Sequence, residues 1–508
     1  MTGVEQSQND VSLSSLAFRL MCAKGLAFVL SLALPLLLVR RLDQTQFGLY
    51  KQAFLVIGTA MTILPLGFGM SAFYFLPREH DSQVRARIVF NILLFNCLLG
   101  GAALLILTTY PQVLARIFHG PALVDFGSLI GAVIFFWIFS GFLETVAIAN
   151  QERNLSSLFI IGGQLSKGLF LMAAAVFFGS IRSLIISALL HSILQSAVML
   201  VYLNSRFRGF WFSFSWPMLR TQLSYALPYG VAGLLFIAQT DLHNYFVSNR
   251  FNAATFAVYS IGCLQLPLVS ILSESMVSVM IPRISYFEKQ NKRREIIMLM
   301  SKVMRKLALV YFPLYAFLMV SGRELIVWLF TERYVDSWPI FAINLTLLPF
   351  YVILLDPIVR AYSEQRYFLL KLRVVLLFLL IAGLWFSVKY LGLIGVISVV
   401  VSITLFEHLI VTYRSGRILG VKIGDIALLV DVGKLALAAL LAAIPAAIAR
   451  SVFHGLHPFY SLAGTGVIFL LTYVSVILLL RVVTTEEREL LWGKLSRLRF
   501  SETRSGNS

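Results

Sequence analysis

The chain has 508 residues, of which 59% are hydrophobic and only 13% charged, with a mean hydropathy of +0.84. A soluble globule averages nearer half apolar with about twice that charged fraction, which excludes that class. The formal net charge of +18 does not point to nucleic acid, because in so apolar a chain Lys and Arg gather in cytoplasmic loops.

Residues 1–12 are polar and carry no Lys or Arg, so no cleaved signal peptide is expected, and the first apolar span would serve as the insertion signal. Stretches long enough to cross a hydrocarbon core, about 20 residues each, fall at roughly 16–39, 47–75, 88–109, 127–149, 158–179, 184–203 and 222–247. They continue at 256–281, 307–330, 339–363, 369–390, 393–413, 432–450 and 461–481, which makes fourteen, or twelve if the last pair does not span. The class is an all-α polytopic membrane protein. With the N-terminus inside, the inner segments hold Arg78, Arg85, Arg87, Arg153, Arg206, Arg208, a dense group from Arg283 to Lys306, and the tail from Arg488. The outer segments hold far fewer basic residues, so both termini are expected on the cytoplasmic side of the membrane. Cys22, Cys97 and Cys263 lie far apart in apolar spans with no CxxC, which gives no metal site and no disulfide framework. No cofactor is expected.

The phrase Arg41-Leu-Asp43-Gln-Thr-Gln-Phe47-Gly48-Leu-Tyr50 opens the second span. It returns as Arg250-Phe-Asn252-Ala-Ala-Thr-Phe256-Ala-Val-Tyr259, an offset of 209 from Arg41 to Arg250. Each following span closes on Pro-Arg, at Pro77-Arg78 and Pro282-Arg283. Further on, Glu152-Arg153 matches Gln365-Arg366, and Gly179 matches Gly392, at an offset of 213. Two six-helix halves follow, 1–210 and 211–422, with two more spans over 423–482 and an amphipathic tail over 483–508. Six crossings per half make the repeats parallel, about an axis along the membrane normal.

Ionisable groups inside spans are the functional signal. Each costs about 2.5–3.5 kcal/mol at a helix centre on the insertion scale, so such groups usually face a cavity or a partner. Lys24 lies roughly 12 Å into the first span at ~1.5 Å per residue. It is the leading candidate for an aqueous cavity. Arg19 joins it or snorkels to the inner interface, and Lys51, one turn into the second span, joins them or snorkels outward. At the same offset the second copy has Pro228, Gly233 and Ser260 in place of these three cations. The scaffold is repeated and the positive charge is not, which points to an anion held by the N-terminal half. Asp241 and His243 in the seventh span are candidates for ion or proton coupling, because acids and histidines in transporter helices relay protons. Gln195 aligns with His408 and Glu144 falls near Asp356, all with structural readings open, and Lys167 and His191 receive no role.

No loop is long enough for a soluble domain. The longest, 282–306, carries the charge run Glu288 to Glu295 and then an apolar stretch, which fits a helix lying on the membrane surface. Segment 204–220 has the mixed basic and aromatic composition of an interfacial anchor. The Thr484-Thr485-Glu486-Glu487 spacing suits a capped helix start. There is no GxxxxGK[ST], HExxH or GxSxG, so neither ATPase nor hydrolase chemistry is indicated and the chain is not expected to be an enzyme.

The Arg41-x5-Phe47-Gly48-x-Tyr50 phrase, Phe256-Ala-Val-Tyr259-Ser260-Ile and Gly392-Leu-Ile-Gly395 together resemble the polysaccharide (O-antigen-type) flippases. These belong to the multidrug/oligosaccharidyl-lipid/polysaccharide exporter superfamily. The usual Gly after Arg-Leu is Asp43 here. The resemblance implies two six-helix lobes in a V around a central cavity, and alternating access. It also implies a polyprenyl-diphosphate-linked oligosaccharide turned from the cytoplasmic to the periplasmic leaflet. Related lipid-linked precursor flippases carry first-helix cations that meet the diphosphate, and Arg19 and Lys24 occupy comparable places. H+ or Na+ as coupling ion and a polysaccharide polymerase as partner are also implied by the resemblance; membrane lipids surround the chain. A drug exporter of the same superfamily would instead need cavity acids. A membrane polymerase or ligase would need a large outer loop with catalytic Arg or His, for which His454 and His457 offer little.

Overall fold

A computed structural model describes residues 33–118, 120–354, 356–362 and 366–482. Arg19, Lys24, Cys22 and the tail over 483–508 lie outside these residues. Every regular element among the described residues is a helix. In chain order the main ones are α1 (Gln44–Ile63), α2 (Ser82–Thr109), α3 (Gln112–Phe118), α4 (Gly127–Ser140), α5 (Leu143–Ala149), α6 (Arg153–Phe177) and α7 (Ile181–Arg206). They continue as α8 (Trp216–Arg250), α9 (Ala253–Gly262), α10 (Pro267–Lys289), α11 (Arg293–Phe330), α12 (Trp338–Leu345), α13 (Arg366–Tyr390), α14 (Gly392–Leu419), α15 (Val430–Val452) and α16 (Pro458–Leu479).

Eleven of the described helices are long and apolar enough to cross a membrane, and thirteen if two bent pairs each count as one. The bent pairs are Gln44–Ile63 with Phe68–Arg78, at 42°, and Glu332–Leu345 with Phe350–Val359, at 44°. The expected first span falls largely outside the described residues. Large apolar side chains such as Phe177, Phe378, Leu440 and Leu471 stand exposed on these helices. Lipid, rather than water, is the solvent that accommodates such faces.

The repeated phrase is a repeated helix start. Asp43 is extended and its carboxylate accepts the Gln46 amide at 2.7 Å, which begins α1. Asn252 accepts the Thr255 amide at 2.8 Å and begins α9. Such caps contribute about 1 kcal/mol each. Phe47, Tyr50, Phe256 and Tyr259 are all buried behind the caps. The two phrases also touch: a Cβ on Gly48 would lie 1.8 Å from the Ala253 carbonyl oxygen. Glycine is required there for backbone to meet backbone.

Contact density divides the chain into two units. The first holds residues 1–261 and 377–396, the second 262–376 and 397–508. In the first unit, Ile88, Ile92, Leu143, Val146, Met199 and Leu203 form the centre of a buried apolar cluster. A polar knot sits within it. Gln222 is fully buried, donates to Ser71 Oγ and the Ile88 carbonyl at 3.2 Å each, and accepts from Asn91 Nδ2 at 3.1 Å. A buried amide with every group satisfied is tolerated, and its partners fix the register of α2 against α8. Glu152 meets Arg206 at 2.9 Å, which ties the end of α7 to the turn before α6.

In the second unit, α11, α15 and α16 pack together. Arg450 donates to Glu324 at 2.8 Å and to the Val320 carbonyl at 2.7 Å, while Arg305 lies 3.6 Å from Asp431 and donates to the Val482 carbonyl at 2.7 Å. The expected surface helix within 282–306 is corrected here. Helix α10 runs through to Lys289, and α11 starts at Arg293 and continues unbroken to Phe330. Ile296, Met300, Val303 and Leu307 are buried along one stripe of α11. Their spacing of three and four extends the spanning helix's own apolar face, so no separate element forms. Only Gln290–Lys292 separate the two helices.

Candidate functional site

The described candidate residues lie along the seam between α1 and α8. Two glycine contacts and one hydrogen bond make the seam antiparallel. Gly48 of α1 meets Ala253 just beyond α8, Tyr245 donates to the Leu55 carbonyl at 3.4 Å, and a Cβ on Gly230 would lie 2.4 Å from the Leu66 carbonyl oxygen. Beyond the end of α1 at Ile63, Leu66 and Gly67 turn with φ of 46° and 67°, which lays this turn directly on the α8 backbone. Helix α8 tolerates this because Gly230, two residues after Pro228, presents no side chain.

Lys51 projects from α1 one turn before Leu55. It is half-buried, and its ammonium sits 5.5 Å from the centre of the Phe47 ring. Among the described residues it has no acidic partner, so its charge rests on a ring face alone. Asp241 is half-buried on α8, one turn before Tyr245, and has no ion pair or hydrogen bond among the described residues. His243 is different. It is 7% exposed, and its Nδ1 shares a 2.8 Å hydrogen bond with the hydroxyl of fully buried Tyr259. Residues two apart on a helix point about 200° from each other. The fold therefore turns His243 toward α9 and Asp241 toward the α1 side, and does not bring them together. The antiparallel register also leaves Lys51 and Asp241 at different heights on the seam. The positions of Arg19 and Lys24 lie outside the described residues.

One further group has no role in the sequence reading. Lys167, midway along α6, holds its ammonium 4.5 Å from the centre of the Trp137 ring on α4. His191 of α7 meets the same indole edge-on at 6.0 Å, and its Nδ1 lies 3.1 Å from Ser166 Oγ. No acid pairs with Lys167 among the described residues. At the offset of 213 that relates Gly179 to Gly392, Lys167 and His191 become Leu380 and Thr404. The available signal was a cation and a histidine in consecutive apolar spans, both confined to the first half.

Three cations of the C-terminal spans are instead paired with acids. Arg373 meets Glu407 at 3.3 Å, beside His408, whose Nε2 lies 2.9 Å from the Ile353 carbonyl oxygen. Arg450 and Arg305 have Glu324 and Asp431. Asp356 and Arg360 lie on a short helix whose side chains at those positions are outside the described residues. Gln195 lies one turn beyond His191, with its carbonyl oxygen buried and unbonded among the described residues. No group of three or more His, Cys, Asp or Glu able to hold a metal occurs among the described residues.

The fold is that of known membrane transporters. The lipid II flippase MurJ, in an inward closed conformation, superposes with a TM-score of 0.71 at 15% identity, covering 91% of this chain and 99% of the flippase. A multidrug resistance MATE family transporter of the MOP superfamily, facing inward, gives a TM-score of 0.62 at 14% identity, over 78% of this chain and 94% of the transporter. A MATE transporter of Vibrio cholerae gives 0.52 at 13% identity, over 82% of this chain and 100% of that one. No curated protein matches the sequence. Residues 37–339, more than half of the chain, match the family described as polysaccharide biosynthesis protein, and to that family the chain belongs.

Proposed function

We propose that this protein turns a polyprenyl-diphosphate-linked oligosaccharide from the cytoplasmic to the periplasmic leaflet by alternating access. Two six-helix lobes, 1–210 and 211–422, would enclose the central cavity, with both termini cytoplasmic. The observation that carries the reading is the uneven placement of cations. Lys51 has no acidic partner among the described residues, and neither it nor Arg19 or Lys24 has a basic counterpart at the repeat offset. A cation left without an acid in a membrane helix keeps its charge for a ligand, and Lys and Arg form charge-assisted hydrogen bonds with phosphate oxygens. Arg19, Lys24 and Lys51 hold the diphosphate in this reading, and the sugars meet polar and aromatic walls. Membership of a polysaccharide biosynthesis family supports a glycan cargo, and the MurJ-like fold supports a flippase.

Asp241 takes the coupling role. It is an acid in a spanning helix without a partner among the described residues, so H+ or Na+ can occupy it without displacing a structural bond. His243, already bonded to Tyr259, would act through the position of α9. A polysaccharide polymerase is the natural recipient of the flipped product.

The test uses proteoliposomes holding the full chain and a fluorescent polyprenyl-diphosphate oligosaccharide, scored by access of an outside quencher. Lys51→Ala should slow flipping about tenfold, the loss of one charge-assisted contact. An unchanged rate would remove Lys51 from the site. Asp241→Asn should abolish acceleration by an imposed proton or sodium gradient, and undiminished acceleration would end the coupling role.

A further inference from the structure

A cavity lies where α8 and α13 end. Within the first unit, Ile117, Tyr245, Asn249, Arg250, Trp385 and Lys389 are among nine residues that line this cavity of about 560 Å³. That is within the ~300–1,000 Å³ range of small-molecule sites. By the distribution of basic residues, this end of the helices faces outward.

Its walls are fixed by bonds that do not use its charges. Asn249 donates both of its amide hydrogens, to the Arg116 carbonyl at 3.0 Å and the Ile117 carbonyl at 2.9 Å, which pins α3 to α8. Phe118 stacks on Tyr245, with ring centres 6.2 Å and planes 15° apart. The orientation of the Asn249 amide follows from its two carbonyl acceptors, and it leaves Oδ1 turned away from them as an acceptor. Arg250 is exposed and has no acidic partner among the described residues. Lys389 holds its ammonium 5.6 Å from the Trp385 ring and 5.0 Å from the Tyr390 ring, again with no acid. None of the nine lining residues is acidic. Trp385 is 63% exposed, an indole face free to be covered.

We propose that this cavity binds a carboxylated saccharide. The three kinds of group present match the three parts of such a ligand. Two uncompensated cations take a carboxylate, and their field is strengthened by low-dielectric aromatic walls. The Trp385 face takes the apolar C–H side of a sugar ring. Asn249 Oδ1 accepts a sugar hydroxyl. Phosphatidylglycerol, with a phosphate and two hydroxyls, would use the cations and Asn249 but has no ring to lay on Trp385. The site lies at the exit end of the proposed path, so its biological ligand rests on the flippase reading. Its binding chemistry does not.

The test titrates the purified full-length protein in neutral detergent with trigalacturonate and with uncharged maltotriose, following heat and tryptophan fluorescence. Trigalacturonate should bind saturably, and maltotriose about tenfold or more weakly, as for loss of one charged contact. Arg250→Gln with Lys389→Gln should weaken trigalacturonate by about tenfold or more, while Arg250→Lys with Lys389→Arg restores it, which separates lost charge from lost fold. Trp385→Phe should remove most of the fluorescence change while heat still reports binding. Equal binding of the two sugars, or undiminished binding by the double Gln variant, would overturn the proposal. Displacement of trigalacturonate by phosphatidylglycerol nanodiscs, but not by phosphatidylcholine nanodiscs, would overturn it in favour of a lipid headgroup. Trigalacturonate binding that survives in Lys51→Ala, with flipping slowed about tenfold in that variant, keeps the two sites distinct; loss of binding there would merge them and overturn a separate outer site.

Discussion

Two pairs of cations, one pair in each half of the sequence, are neutralised in different ways. Arg373 and Arg450, in C-terminal spans, lie 3.3 Å and 2.8 Å from Glu407 and Glu324. Lys51 and Lys167, in N-terminal spans, rest 5.5 Å and 4.5 Å from the rings of Phe47 and Trp137. A pair whose charges cancel holds helices together and offers little to a ligand. A cation on a ring face recovers only ~0.5–2 kcal/mol and keeps its charge. The described helices therefore carry two kinds of cation: those closed off by an acid, which include Arg206 with Glu152 in the first half, and those left on a ring face, which include Lys389 in the second.

The two copies of the phrase show the same divergence in backbone. Each starts a helix with a side-chain cap, yet α1 runs twenty residues and α9 only ten. Gly48 lets the copies touch, and its counterpart is Ala257. The sharpest way to break this comparison is Gly48→Val, which puts a branched side chain into the Ala253 backbone. It should cost more than ~4 kcal/mol, since neither backbone can move away cheaply. Detergent-solubilised protein should lose its cooperative thermal transition. Gly58→Ala, in the same helix with open space around it, should instead raise stability by up to ~1 kcal/mol.

Next in size is the charge asymmetry itself. Lys51→Ala should slow flipping about tenfold, whereas Ser260→Ala, at the matching position of the second copy, should leave the rate unchanged. Proteoliposome quenching reads both. Tyr259→Phe removes the hydroxyl that meets buried His243 and should cost ~1–3 kcal/mol. Tyr50→Phe should cost far less, because the Tyr50 hydroxyl makes no hydrogen bond among the described residues. Thermal unfolding compares the two. The smallest effect is also the most symmetric: Asp43→Ala and Asn252→Ala should each lower stability by ~1 kcal/mol, the worth of one N-cap. Unequal losses there would show that the two caps are not equivalent.

The spans were legible because a hydrocarbon core imposes a length and a composition that survive in any twenty-residue stretch. The caps were legible as a repeated phrase, although their spacing alone did not show that Gly48 and Ala253 meet. The start of α11 was misread because the charges from Glu288 to Glu295 suggest an interface, while the decisive signal, Ile296-Met300-Val303-Leu307, belongs to packing. The Lys167 cluster was hidden for a related reason. Trp137 lies on another helix, and nothing local to Lys167 shows that an indole will sit beneath it. Asp241 and His243 are near neighbours in sequence, and helical geometry turns them to different sides.

The central claim is that N-terminal cations hold the diphosphate of a lipid-linked saccharide during transfer. Its most direct measurement is the leaflet distribution of lipid-linked glycan in cells carrying Arg19→Ala, Lys24→Ala and Lys51→Ala together. Accumulation on the cytoplasmic leaflet, with membrane levels of the protein unchanged, is the predicted result. Normal surface glycan from that triple variant would contradict the claim.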